Sequence, residues 1–474
     1  MKLTNIATDQ FLRFLRRRLV FFGFLTYSIF SWWWILEIDL ARLASTSFAG
    51  KIMQIIVLVV VSFLSAGIYA TSLKFLFKTL SKKQGWFVPI KLVMWWAATE
   101  LFVAWAVCII WYGVGGRFDN VLPFTSLSHF AVWTPLGYLS RFVGLYGFSG
   151  VVFMLAMIFI KPELRKFIFP VVAVTSIATF FAWGLYRNPS GPIENVVLVS
   201  ESSKQNKLLD VLRPKDRSLV VLPEYGLNSI DDEYYGKKIS VKSPEEVVYF
   251  VSSRFTYEQD KIKNQLVAGD TKTGYIYKID KSRLIPAGEY LPYVMQAFFN
   301  AVGANDLVKD FQARRQIYKA DSSQQQALLT FGDMKVGAGI CSSIIAPEDY
   351  RLLAKNGADI FTNSAYLGVF NGSSSYHWHH QAMAKFMSIA NARTFVQSST
   401  SGPAFVYDSS GKRVYYSEET AATELLVSLN SRRTVYSFLG EFLAIGGLVW
   451  IFVELVRLSG NNYKRIMAKD SRSI

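Results

Sequence analysis

The chain has 474 residues, of which 51% are hydrophobic and 15% aromatic, and its mean hydropathy is +0.24. This composition is too apolar for an ordinary soluble enzyme of this length and indicates a membrane protein. The formal net charge is +16. Most of the basic excess falls in short segments next to apolar stretches, so nucleic acid is not expected as a partner.

Six stretches are long and apolar enough to cross a bilayer, which takes about 20 helical residues. They cover residues 19–36, 52–70, 92–112, 142–160, 167–186 and 436–456. The sequence therefore predicts a transmembrane helical domain over 1–186, a water-exposed domain over 187–435, and a last helix with a basic tail over 436–474. The first stretch is not followed by a small-residue cleavage site, which indicates a retained anchor rather than a signal peptide.

Basic residues alternate between the short segments that connect these stretches. Segments 1–18, 71–91, 161–166 and 457–474 hold 18 Lys and Arg and three acidic residues, whereas loops 37–51 and 113–141 hold four Lys and Arg. Because positively charged loops stay in the cytoplasm, we expect the four basic segments to be cytoplasmic. Five crossings then place residues 187–435 outside the cytoplasm, as in a multi-pass protein of a bacterial inner membrane.

The water-exposed segment predicts short strands that alternate with helices. "RSLVVLPEYGL" (217–227) and "MKVGAGICSS" (334–343) are typical of strands that end in turns, and "PEDYRLLAKNG" (347–357) is typical of a helix. This alternation indicates a layered α/β fold. The apolar run "YLPYVMQAFFNAVG" (290–303) fits either the core or a lid that dips into the membrane to admit a lipid chain.

Three predicted strand ends carry groups suited to acyl chemistry, namely Glu224, Lys281 and Cys341. The only other cysteine, Cys108, lies in the third apolar stretch, so no internal disulfide is expected for Cys341. Its thiol is therefore either a small buried hydrophobe or a nucleophile. A carboxylate could take the thiol proton, and an ammonium group could stabilise the negative oxygen formed when the thiolate attacks a carbonyl.

The motifs around these residues resemble those of the carbon–nitrogen hydrolase (nitrilase) superfamily. "LPE" (222–224), "KSRLIPAGEYLP" (281–292), "GICSS" (339–343) and "TNSAYLG" (362–368) stand where that family has its glutamate, lysine and cysteine motifs and the segment after the cysteine. The resemblance implies an αββα sandwich between transmembrane helices, five before it and one after. It also implies a catalytic triad of Glu224, Lys281 and Cys341.

Within the superfamily, the lysine motif and the membrane segment 133–155 resemble those of the apolipoprotein N-acyltransferases. This resemblance implies that a fatty acyl chain passes from a phospholipid, through a thioester on Cys341, to an amine. The implied acceptor is the diacylglyceryl-cysteine of an apolipoprotein, and no cofactor or metal is implied. Glu289 matches a second active-site glutamate that orients the lysine, and the backbone N–H of Ser342 is expected to join Lys281 in binding the oxyanion.

Several positions depart from the family pattern and are candidate substrate-binding residues. Ser342 and Ser343 replace the usual Tyr-Glu, Ala287 replaces Phe, and Tyr366 and Leu367 replace Trp and Phe. His379 best matches a histidine that the family also has. The remodelled pocket leaves an alternative open, a membrane-tethered amidase or nitrilase-like hydrolase that uses the same triad with a different substrate.

Two further groups of polar residues have competing interpretations. "YHWHH" holds His377, His379 and His380, but neighbouring residues on a helix cannot all face one ion, so we expect no zinc site there. Glu100 lies within the third apolar stretch. It is either a functional group in the membrane or a carboxyl bonded to a neighbouring helix.

Overall fold

The computed structural model describes residues 18–39, 48–80, 85–119, 121–186, 189, 191–200, 217–226, 248–258, 261–270, 273–314, 316–318, 327–370, 372–419 and 422–470. Most of the first basic segment (1–17), two lysines of the second (82 and 83) and the last four residues lie outside the described residues.

Within this described part, six helices are long and apolar enough to cross a membrane. The helices before the first strand are α1 (Arg18–Glu37), α2 (Phe48–Leu80), α3 (Val88–Ile110), the short α4 (Leu127–Ala131), α5 (Ser140–Ile160) and α6 (Ile168–Leu185). All of them except α4 coincide with predicted spans, because runs of apolar residues without charge favour a membrane helix over any other structure. α2 is longer than its predicted span of 52–70 and continues to Leu80.

The elements after α6 alternate in the way that an α/β fold requires. They are β1 (Ile193–Val199), β2 (Ser218–Val221), β3 (Val248–Glu258), β4 (Lys261–Asp270), β5 (Ile276–Asp280), α7 (Tyr293–Ala301), α8 (Asn305–Arg314), β6 (Ala327–Phe331), β7 (Met334–Ile340), α9 (Pro347–Lys355), β8 (Ile360–Tyr366), α10 (Ser374–Asn391), β9 (Thr394–Thr400), β10 (Ala404–Tyr407), β11 (Arg413–Ser417), β12 (Ala422–Ser428), α11 (Val435–Leu439) and α12 (Phe442–Asp470).

The start of the last predicted span is corrected by the structure. The membrane helix α12 begins at Phe442 rather than at residue 436, because residues 435–439 form the separate helix α11. Gly440 ends α11 with a φ of 62°, a left-handed conformation that glycine adopts without steric cost.

The strands form two six-stranded sheets, in the orders β12-β1-β2-β3-β4-β5 and β11-β10-β9-β8-β7-β6. Their facing sides share one apolar core, which includes Leu198 and Val221 from the first sheet and Val336 and Val396 from the second. This is the predicted nitrilase-like sandwich of two sheets. α9 and α10 cover the outer face of the second sheet. Residues 201–216 and 227–247, which connect strands of the first sheet, lie outside the described residues.

Strand direction brings the predicted functional residues to one edge of the sandwich. β1, β2 and β3 are parallel, and β5 has the same direction because β4 is antiparallel to both β3 and β5. The carboxyl ends of β2 and β5 therefore meet at one edge, where Glu224 and Lys281 follow. In the second sheet β7, β8 and β9 are parallel, and Cys341 follows β7.

The membrane helices contact the α/β domain through the ends that charge patterning predicts to be extracytoplasmic. After α1, the Asp39 N–H donates to the Val369 carbonyl at 2.8 Å. After α6, the Tyr186 hydroxyl donates to the Arg433 carbonyl at 3.0 Å. At the start of α5, the fully buried Arg141 donates to the carbonyls of Ile389 and Ser409, at 3.0 and 2.8 Å. These bonds join the helical part of the chain to the α/β domain at that end of the helical bundle.

Candidate active site

Glu224, Lys281 and Glu289 form a buried cluster of ion pairs. The ammonium Nζ of Lys281 lies 3.0 Å from Oε1 of Glu224 and 2.9 Å from Oε1 of Glu289, and its side chain is 1% exposed. The second oxygen of Glu224 accepts the Tyr366 N–H at 3.1 Å, and that of Glu289 accepts the Ile285 N–H at 2.8 Å. Both carboxylates are therefore fixed by backbone donors as well as by the lysine.

Asn264, which the sequence analysis did not identify, bridges the same two carboxylates. Its Nδ2 lies 2.7 Å from Oε1 of Glu224 and 3.2 Å from Oε1 of Glu289. The residue is at the start of β4, and the Lys281 N–H donates to its carbonyl at 2.7 Å. A buried asparagine in a strand is unusual, since strands are depleted in Asn, and this was the only signal in the sequence.

Burial and the local charges shift the pKa values of this cluster. Burial alone lowers the pKa of Lys281, but Glu224 and Glu289 outweigh it and hold the ammonium pKa above its usual range. Burial, together with the charge of Glu224, raises the pKa of Glu289 against the opposing effect of Lys281. The lysine is consequently a permanent cation near neutral pH, and it can stabilise a negative oxygen.

Cys341 lies at the sharp turn where β7 ends and a short 3₁₀ helix, Cys341–Ile345, begins. Its φ is 43°, in the left-handed region that residues with a side chain seldom adopt. Its Sγ lies 3.7 Å from the Tyr366 carbonyl, and its own carbonyl accepts from Nδ2 of Asn363 at 3.3 Å. Strained backbone of this kind concentrates at functional positions, where the surrounding structure holds it in place.

The Cys341 thiol is protonated at rest. Burial and the charge of Glu224 raise its pKa well above the usual value, and Lys281 offsets only part of this shift. Glu224, whose charge acts on the thiol, is the candidate group to accept the proton as the sulfur attacks a carbonyl.

The oxyanion expected in such an attack has two candidate donors. A lysine ammonium has three N–H donors, and Lys281 directs two of them to Glu224 and Glu289. The third is available to a reacting oxygen. The backbone N–H of Ser342 belongs to the first turn of the 3₁₀ helix, where intrahelical partners are missing.

Arg283, also missed in the sequence, holds the nucleophile loop in place. Its guanidinium binds Asp349 through two bonds of 2.7 and 2.6 Å and donates to the Asp119 carbonyl in the loop after α3 at 3.1 Å. The Ser342 hydroxyl donates to the Arg283 carbonyl. Ser342 thus turns its side chain toward the lysine motif, which leaves its backbone N–H as the group that can face a substrate.

The other substituted positions have different surroundings. Ala287 lies on a left-handed turn with φ 63° and lines an apolar cleft. The Ser343 hydroxyl accepts the Ile340 N–H at 3.1 Å, and Ser343 lines a smaller cavity of about 420 Å³ together with Lys281. Tyr366 contacts Glu224 and Cys341 through its backbone. Leu367 is fully buried and lines neither cavity.

The histidines of α10 point in different directions, as helical geometry requires. His379 packs between the α/β domain and the membrane helices, with its ring 5.5 Å from that of Phe124 and 5.9 Å from that of His129. The structure does not bring it to the ion-pair cluster. His380 instead contacts Gln397 at 2.7 Å, and Gln397 in turn accepts from Asn363, which holds the Cys341 carbonyl. Among the described residues no group of three potential metal ligands is found.

Glu100 is bonded to the helical segment beside it. Its Oε1 accepts from the Trp96 indole at 2.8 Å and from the Leu127 N–H at 3.1 Å, and its Oε2 accepts from the Ser126 hydroxyl at 2.8 Å. The carboxyl group thereby caps α4 and ties it to α3. Of the two interpretations of Glu100, these contacts favour the structural one.

An apolar cleft of about 1170 Å³ connects the membrane helices with the nucleophile loop. One wall comes from α1 and α2, including Trp34 and Met53, and another from α7, including Met295. The lining also includes Ala287 of the lysine motif and Ile345 of the 3₁₀ helix that begins at Cys341. The run 290–303 therefore contributes to the wall of this cleft rather than only to the core of the sandwich.

Comparisons with known proteins found one family model and several solved structures that are similar to the α/β part of the chain. Residues 213–427 match the family model described as Carbon-nitrogen hydrolase. No curated protein matched the chain. XC1258 from Xanthomonas campestris, a CN-hydrolase superfamily protein with an arsenic adduct in its active site, is 14% identical over 50% of this chain and 91% of that chain, with a TM-score of 0.35.

Two further solved structures are similar at the same level. An amidase from Nesterenkonia sp. is 13% identical over 50% of this chain and 90% of that chain, with a TM-score of 0.35. Saccharomyces cerevisiae Nit3, of branch 10 of the nitrilase superfamily, is 18% identical over 53% of this chain and 94% of that chain, with a TM-score of 0.36.

The fold defines a nitrilase-like α/β protein flanked by helices that could cross a membrane. The match of residues 213–427 to the Carbon-nitrogen hydrolase family model supports assignment of this domain to the carbon–nitrogen hydrolase superfamily, whose members are enzymes.

Proposed function

We propose that this protein is a membrane-bound N-acyltransferase that moves a fatty acyl chain from a phospholipid, through a thioester on Cys341, to an amine. The observation that carries the proposal is the apolar cleft between α1, α2 and α7, which reaches the nucleophile loop. A small amide dissolved in water has no need of such a cleft, whereas an acyl chain that enters from a bilayer does.

The polar groups on the cleft wall also favour an ester as acyl donor. The indole N–H groups of Trp34 and Trp111 line the cleft or its rim and have no hydrogen-bond partner among the described residues. Both are donors only, so they suit a ligand that brings acceptor oxygens, as a glycerol ester does. An amide would bring an N–H as well, for which these two side chains offer no acceptor.

The chemistry follows from the cluster. Glu224 takes the proton from Cys341 while the sulfur attacks the ester carbonyl, and Lys281 with the Ser342 N–H stabilises the oxyanion. The lysophospholipid leaves with the proton held by Glu224, and the acyl chain stays on the sulfur. An incoming amine then attacks the thioester carbonyl and loses a proton to Glu224. The C–S bond breaks, the product leaves as an amide, and the Cys341 sulfur takes the proton back from Glu224. Glu289 and Asn264 hold Lys281 and Glu224 in position throughout.

The proposal also covers the orientation of the α/β domain and the identity of the acyl donor and acceptor. Residues 187–435 would act outside the cytoplasm, with membrane lipids as donors and a diacylglyceryl apolipoprotein as acceptor. Charge patterning supports the orientation, and the domain rests on the helix ends that this patterning assigns to the outer side.

The test is mass spectrometry of the Cys341 peptide from protein purified out of membranes. A fatty acyl adduct that hydroxylamine removes is expected, since hydroxylamine cleaves thioesters. The second candidate function is a membrane-tethered amidase, which the amidase-like fold favours. Release of free acid from small amides, with no acyl adduct and no transfer to an added amine, would favour the amidase and contradict the transferase.

A further inference from the structure

Tyr376 is in the wall of the apolar cleft, which also contains residues of the lysine motif and of the 3₁₀ helix that begins at Cys341. It is in the first turn of α10, is 2% exposed, and lines the cleft together with Ala287 and Ile345. Its ring stacks on Phe370 at 3.6 Å and meets Trp34 of α1 edge-on at 5.4 Å. The aromatic contacts therefore fix the ring between α1 and the short 3₁₀ helix Gly368–Phe370 that follows β8.

Within the part of the chain that the structure describes, the contacts of Tyr376 are those of its ring and of its backbone N–H, which donates to the Ser373 hydroxyl at 3.1 Å, and no hydrogen bond joins its own hydroxyl to a neighbour. Buried tyrosines normally find one, because leaving a polar group unpaired costs about 1–3 kcal/mol. Burial, together with the charges of Cys341 and Glu224, raises the pKa of this phenol well above its usual value. The hydroxyl thus keeps its proton and can act as a hydrogen-bond donor.

We propose that Tyr376 is a further catalytic residue, which donates its hydroxyl hydrogen bond to the acyl carbonyl oxygen of the bound donor. This inference rests on the proposed acyl transfer and assigns a residue to it that neither the sequence motifs nor the comparisons single out. A phenol that lines the cleft from α10 supplies a neutral O–H donor in addition to the Lys281 ammonium and the Ser342 N–H.

The role is confined to hydrogen bonding. The Cys341 sulfur forms a bond to the carbonyl carbon, its proton passes to Glu224, and the π electron pair moves onto the carbonyl oxygen. The Tyr376 O–H donates to that oxygen and keeps its proton. When the intermediate collapses, the bond to the leaving alkoxide breaks, and the alkoxide takes the proton from Glu224. Because the oxygen carries more charge in the transition state, the bond strengthens there.

The test uses the full chain in lipid nanodiscs and p-nitrophenyl octanoate, whose burst of p-nitrophenolate reports acylation of Cys341 for a transferase or a hydrolase alike. Tyr376→Phe keeps the ring stacking and removes only the hydroxyl. We expect the acylation rate constant to fall roughly 10²-fold, the loss typical of one oxyanion donor, with KM changed less than about threefold. Alkylation of Cys341 by iodoacetamide should stay at the wild-type rate.

The matched control is Tyr436→Phe. Tyr436 is also fully buried with an unpartnered hydroxyl, but it packs on Phe386 and lines no part of the cleft. Its variant should show the wild-type burst. A Tyr376→Phe burst within threefold of wild type overturns the inference, as does a parallel loss of burst and alkylation, which would mean a structural role. Absence of any burst in wild type, with alkylation intact, refutes the proposed acyl transfer itself.

Discussion

The variant Lys281→Met tests two roles of the ion-pair cluster, its contribution to catalysis and its contribution to folding stability. Methionine keeps most of the length and apolar volume of the side chain but removes the ammonium, which lies 3.0 and 2.9 Å from the two carboxylates. Among the described residues, Asn264 is then the one side-chain donor that Glu224 and Glu289 share. The variant loses the third N–H that we assign to the oxyanion, and it leaves two carboxylates facing each other in a buried site.

The expected magnitudes follow from this geometry. Loss of one oxyanion-stabilising group lowers kcat by roughly 10²–10³-fold. Removal of one partner from a buried ion pair costs about 3–5 kcal/mol of folding free energy at pH values where the remaining groups stay charged. The cluster can relieve part of this cost by protonating Glu289, whose pKa burial already raises. A raised carboxyl pKa means stability that is lost as pH rises, so the deficit of the variant should shrink between pH 8 and pH 5.

The assay combines the p-nitrophenyl ester burst with thermal unfolding at several pH values. Lys335→Met is the matched control, because Lys335 is an exposed lysine on β7 of the same domain. The control should change neither quantity. If Lys281→Met retains acylation within threefold of wild type, Lys281 does not stabilise the oxyanion. If Lys281→Met unfolds at the same temperature as wild type at every pH tested, the ion pairs of Lys281 do not stabilise the fold as the geometry implies.

Four other outcomes are expected. Asn264→Ala should lower acylation about tenfold and Asn264→Asp more, because a third carboxylate would repel the other two; an Asp variant more active than Ala would contradict the bridging role. A cysteine at Lys412 should react with a membrane-impermeant maleimide in intact spheroplasts, and one at Trp86, in the loop between α2 and α3, should not; the reverse pattern would invert the topology. Alkylation of Cys341 should accelerate steadily from pH 7 to pH 9, since its pKa is raised; a plateau below pH 8 would mean a thiolate at rest. Met53→Trp should slow acylation by p-nitrophenyl palmitate more than by the acetate, because Met53 lines the cleft; equal effects would show that the acyl chain binds elsewhere.

The membrane spans and the alternation of short strands with helices could be predicted because their signals are local. A run of apolar residues without charges has few alternatives to a membrane helix, and the short β-branched runs that end in Pro223 or in a turn mark strand ends wherever they lie in the fold. The errors lie at boundaries. The last span was predicted to begin at residue 436 but begins at Phe442, because α11 ends at Gly440 before α12 starts. The end of a helix depends on backbone geometry that composition does not specify.

By itself the sequence determined the membrane spans, the bias of basic residues and the three residues Glu224, Lys281 and Cys341 at strand ends. Only the tertiary structure decided which other side chains join them. The register of β4 with β5 places Asn264 beside Lys281, and α10 turns Tyr376 toward the cleft while His379 faces the membrane helices. The reason is physical: periodicity along the chain sets each element, whereas neighbours across strands and helices depend on pairing between residues far apart in sequence.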